Sequence, residues 1–121
     1  MGAVTMLQTA VVLFAIAALG GLAMACIRFV SNVNPPAALA LLHGLLASSG
    51  LTLVAYAAFT VGVPSGALLG LGLLLAAAAG GLVMNLGYQW KQRLLPAVLV
   101  VGHAILAVLG FGLLAMAAFA H

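Results

Sequence analysis

Four apolar runs, at about residues 4–29, 37–60, 65–87 and 96–119, make up most of the chain, and no Asp or Glu interrupts them. A hydrocarbon core of about 30 Å takes about 20 helical residues to cross, so each run is long enough for one transmembrane helix. The breakers between them are Ser31-Asn32-Val33-Asn34-Pro35-Pro36, Val63-Pro64-Ser65-Gly66, and Lys91-Gln92-Arg93 with Pro96. A soluble domain needs a charged surface, and only three Lys and Arg residues are present among 121. The expected fold is all-α: one integral membrane four-helix bundle over 1–121, with short loops. The first run is too long, and lacks the basic leader, to read as a cleaved signal peptide.

Arg28, Lys91 and Arg93 lie at the junctions of helices 1–2 and 3–4. Excess basic residues mark the cytoplasmic side, so both termini and the middle loop are expected outside, with a bacterial inner membrane the expected location. No basic stripe or aromatic platform points to nucleic acid. The single Cys26 excludes an internal disulfide and reads as a small packing residue. Terminal His121 reads as solvated.

Shifted by sixty residues, the sequence overlays itself without a gap. Gly20-Gly21-Leu22 falls on Gly80-Gly81-Leu82, Met24 on Met84, Pro36-Ala37 on Pro96-Ala97, His43 on His103, and Gly50 on Gly110. Roughly a third of the pairs are identical, against about an eighth expected by chance for this composition. The two repeats, about 4–60 and 64–120, each hold one helical hairpin. Two helices per repeat keep both copies in the same orientation, related by a pseudo-two-fold axis along the membrane normal.

That symmetry brings His43 and His103 to one depth. Each lies seven residues beyond its proline, about 10 Å into its helix at 1.5 Å per residue. Met24 and Met84 are expected in the same layer. Ionisable side chains inside a bilayer mark functional sites by default, although an intramembrane His also serves as a helix–helix hydrogen bond. Imidazole is a strong axial ligand for haem iron, so His43 and His103 are candidate ligands of one haem b. Gly20, Gly21, Gly80 and Gly81 on helices 1 and 3 are expected to leave room for a macrocycle. Gly50 and Gly110, two turns from the histidines, are expected to do the same. Arg28, Lys91 and Arg93 are placed where haem propionates would meet cations. Asn85 reads as a helix–helix hydrogen bond.

Ligands on the second and fourth helices, with glycines on the first and third, resemble the transmembrane four-helix b-type cytochromes. The resemblance spans about residues 4–119. It implies electron transfer between a quinol or membrane dehydrogenase and another centre, within or beside a larger respiratory complex. Members of that family commonly carry two ligating histidines per helix and stack two haems. One per helix implies a single haem near the cytoplasmic face.

Three other readings stay open. His43, His103, Met24 and Met84 form a His₂Met₂ set suited to copper. A structural accessory subunit without cofactor would use its flat Ala/Leu/Gly helix faces toward the bilayer, another membrane subunit or a homo-oligomer. A small transporter is disfavoured, because proton-coupled cation exporters of this size depend on an embedded acid. No nucleophile has acid–base companions, so independent catalysis is not expected. The Ser and Thr hydroxyls are expected to bond back to their own helices.

Overall fold

The computed structural model describes residues 1–120, and His121 lies outside them. The described residues form four long helices and no strand: α1 (Ala3–Val30), α2 (Ala37–Thr60), α3 (Ser65–Met84) and α4 (Ala97–Phe119). A five-residue π-helical turn, Asn85–Gln89, continues α3. With that turn counted, all four are long and apolar enough to cross a membrane.

The prolines set the helix starts. Pro36, Pro64 and Pro96 each stand immediately before a helix. A fixed φ and a missing N–H cost nothing there, because the first helical N–H groups have no internal partner. The three proline carbonyls accept the opening hydrogen bonds, as in Ala40 N–H to Pro36 O and Val100 N–H to Pro96 O. The ends are less regular. Ser31 closes α1, and Asn32 follows with φ +54°. Gly62, at φ +78°, makes the turn toward α3, where a residue without Cβ is least strained.

Neighbouring helices pack in the cyclic order α1, α2, α3, α4. The pairs α1/α2 and α3/α4 pack most closely, α1/α4 less so, and α2/α3 is the loosest. The bundle therefore has α2 and α4 on one diagonal.

Its two ends differ. At the end holding the chain termini, Leu7, Phe14, Val54, Leu71, Leu74 and Leu114 form a buried core. Two glycines permit this packing. A Cβ on Gly50 would meet the Phe14 ring at 2.8 Å, and one on Gly110 would meet Leu74 Cγ at 2.8 Å and Gly70 O at 3.0 Å. The expectation that Gly50 and Gly110 leave space for a cofactor is therefore corrected: Phe14 and Leu74 already occupy that space.

The opposite, basic end is held by polar ties between loops. Asn34 donates through Nδ2 to Arg93 O at 2.6 Å and accepts the Leu95 N–H at 2.9 Å. Arg28 donates through Nε to Leu95 O at 2.7 Å, and Gln89 through Nε2 to Pro35 O at 2.7 Å. These bonds join segments 54 to 67 residues apart and satisfy carbonyls that no helix pairs. The hydroxyls of Thr9, Ser49, Thr52 and Thr60 bond back to carbonyls four residues earlier, as expected. Cys26 is exposed on α1 rather than packed.

Candidate functional site

Between the packed core and the basic end lies a cavity of about 250 Å³. His43 and His103 both border it, from α2 and α4. Their ring centres are 6.0 Å apart and their planes are inclined by 67°. Each ring is anchored in the same way. His43 Nδ1 lies 2.7 Å from Ala17 O, and His103 Nδ1 lies 2.6 Å from Ala77 O, a separation of 26 residues in both cases.

The partner fixes the tautomer. A carbonyl oxygen only accepts, so Nδ1 carries the hydrogen and donates it. In a neutral imidazole that leaves Nε2 with its lone pair free. The cavity thus receives two rings whose remaining nitrogens are both donors of electron pairs. Metal-ligating histidines almost always have their other nitrogen held in this way, which orients the ring and raises its basicity.

Gly21 and Gly81 explain how the rings come so close to the neighbouring helix. A Cβ on Gly21 would lie 3.1 Å from His43 Cε1, and one on Gly81 would lie 3.2 Å from His103 Cε1. The bare glycine surface accepts the imidazole edge. Room on α1 and α3 is therefore used by the histidines themselves, not reserved for a macrocycle as expected from sequence. Gly20 and Gly80 differ. An added Cβ would come no closer than 4.0 Å to His43 Cβ at Gly20, and would meet nothing within 4 Å at Gly80.

Met24 and Met84 border the same cavity, from α1 and from the end of α3. Among the described residues no three His, Cys, Asp or Glu side chains come together, so the two imidazoles are the nitrogen donors available. Of the three cations, only Arg28 borders the cavity. Lys91 and Arg93 are exposed, and the Arg93 guanidinium stacks over the Tyr88 ring at 5.0 Å. Asn85 also borders the cavity, and its side chain makes no hydrogen bond among the described residues; the helix–helix bond expected for it is absent.

Four contributors were not assigned by sequence. The acceptor roles of Ala17 and Ala77 are invisible in an alanine, because the backbone does the work. The equal offset of 26 residues is visible only once the partners are known. Gln89 and Asn34 tie the basic end through turns that no periodicity describes.

The donor set fits two-point coordination. With their centres 6.0 Å apart, the two imidazoles are near enough to share one metal ion. Compared with known proteins, the chain matches no family model, no curated sequence and no solved structure at a significant level.

Proposed function

We propose that this chain is an integral membrane protein of four spanning helices, built from a duplicated hairpin, that holds one haem b through His43 and His103 and works in electron transfer. The surface supports the bilayer placement. Large apolar side chains such as Leu19, Leu22, Phe59 and Val108 are mostly exposed around the bundle, which water would not tolerate over so wide a surface. The Arg28, Lys91 and Arg93 end is taken as cytoplasmic.

The single observation that carries the haem reading is the pair of carbonyl-anchored imidazoles with ring centres 6.0 Å apart. Haem bound there would supply a one-electron iron couple. The residues do the rest. His43 and His103 would hold the iron through their ring nitrogens, while Ala17 and Ala77 orient the rings through Nδ1. Phe14, Val54, Leu74 and Leu114 close the far end, so exchange of electrons takes place from the basic end. A quinol, a membrane dehydrogenase or another subunit of a respiratory complex would be the partner there.

Copper is the second reading, favoured by Met24 and Met84 on the same cavity. Both are tested on the detergent-purified chain, expressed with haem supplementation. Reduction with dithionite should give the paired α and β bands of six-coordinate b-type haem, with iron and porphyrin at one per chain. A colourless protein containing copper would replace the haem reading, and a colourless protein without metal would leave the cofactor-free subunit.

A further inference from the structure

A second concavity, separate from the histidine cavity, lies between α1 and α4. Ala25 and Phe29 line it from α1, and Val101, Ala104, Ile105 and Leu109 are among the α4 residues that complete it. Every side chain in its wall is apolar. The groove follows α4 from Val100 to Leu109, about 13 Å at 1.5 Å per residue. Its α4 wall faces outward, with Val101, Ile105, Val108 and Leu109 all exposed.

The basic end of this groove carries Arg28. The guanidinium stands 5.5 Å from the centre of the Phe29 ring, and Phe29 is part of the groove wall. Nε donates to Leu95 O, just ahead of α4, so the charge spans the seam between the two helices. One terminal nitrogen donates to Asn32 Oδ1, and the other has no acceptor among the described residues. The chain has no Asp or Glu to neutralise the charge, so its counter-ion comes from outside the chain. At the end of a membrane-spanning helix the anions at hand are lipid phosphates.

The sixty-residue overlay supplies a contrast. Tyr88 and Gln89 stand where Arg28 and Phe29 do, and Asn85, Ser48 and Ser49 stand where Ala25, Val108 and Leu109 do. The matching positions on α2 and α3 therefore have no cation and are polar where the α1/α4 groove is apolar. Charge and apolar bed coincide on one seam only.

We propose that the α1/α4 groove binds an anionic phospholipid. One acyl chain lies along Val101, Ala104, Ile105 and Leu109, where no polar group needs a partner, and the phosphate meets Arg28 through charged hydrogen bonds. The site rests on the bilayer placement proposed above, and not on any metal at the histidines.

The detergent-purified full chain is titrated with dioleoyl phosphatidylglycerol and, separately, with dioleoyl phosphatidylcholine, which has the same acyl chains and no net charge. Lipid bound per chain is read by native mass spectrometry. Wild type should hold the first phosphatidylglycerol about fivefold more tightly, the contribution of one basic residue at a membrane surface. Arg28→Gln should remove that preference and leave phosphatidylcholine binding unchanged. Arg28→Lys should keep most of it, and Lys91→Gln, which changes a cation outside the groove, should keep all of it. Ala104→Phe, at an exposed position where the new ring fills the groove, should weaken both lipids and keep their ratio. Equal affinity of wild type for the two lipids, or a preference that survives Arg28→Gln, overturns the role of Arg28. Phosphatidylglycerol binding unchanged in Ala104→Phe overturns the groove. A chain that stays monodisperse without detergent overturns the bilayer placement, and the lipid site with it.

Discussion

Gly81→Ala isolates the role of helix α3 in aiming an imidazole. The added Cβ would lie 3.2 Å from His103 Cε1 and 3.6 Å from Nδ1. Both contacts are with one ring, so the ring must retreat by a few tenths of an ångström. Its bond to Ala77 O, 2.6 Å now, lengthens by the same order. A bond of this kind contributes about 0.5–1.5 kcal/mol. Its larger effect is on ligation, because disturbing the group that orients a metal-bound histidine costs about tenfold or more in affinity. Gly80→Ala is the matched control, since its Cβ meets nothing within 4 Å. Both substitutions gain up to about 1 kcal/mol of helix propensity, so lost stability does not explain a difference between them. Haem titration of the two detergent-solubilised variants, with unfolding followed by circular dichroism, makes the comparison. Gly81→Ala should bind about tenfold more weakly than wild type, and Gly80→Ala within about twofold. Equal losses in both, or none in Gly81→Ala, would refute the idea that the glycine seats the ring.

His43→Ala and His103→Ala should each abolish the six-coordinate spectrum while the chain still resists carbonate extraction from membranes. Gly110→Ala places a Cβ 2.8 Å from Leu74 Cγ and 3.0 Å from Gly70 O, and should destabilise the α3/α4 pair by about 1–3 kcal/mol in mixed-micelle unfolding. Gly112→Ala, in open space, should not destabilise it. Asn34→Ala removes the two bonds its side chain makes to the Arg93–Leu95 loop and should cost about 1–3 kcal/mol, with faster hydrogen exchange at Leu95.

The helices were legible because the signals are local. Apolar runs end at Asn34-Pro35-Pro36, Pro64 and Pro96, and the helices begin where a proline removes a donor that would have no partner. The histidine pair was legible through self-similarity, since matching positions in a sixty-residue overlay meet across the diagonal of a four-helix ring. The glycines were misread for a physical reason. An absent side chain shows that something approaches closely, not what approaches. At Gly50 and Gly110 it is a neighbouring side chain, and at Gly21 and Gly81 it is the imidazole itself. The π-helical turn was missed because one extra residue per turn leaves no mark in a segment where nearly every position is apolar.

Electron paramagnetic resonance of the oxidised, haem-loaded chain tests the paired-imidazole geometry most directly. Rings inclined by 67° across one iron should give the strongly anisotropic low-spin signal of crossed imidazoles, and replacing either His43 or His103 with Ala should eliminate it. A high-spin signal in the wild-type chain, or a low-spin signal that survives the loss of either histidine, would contradict joint ligation.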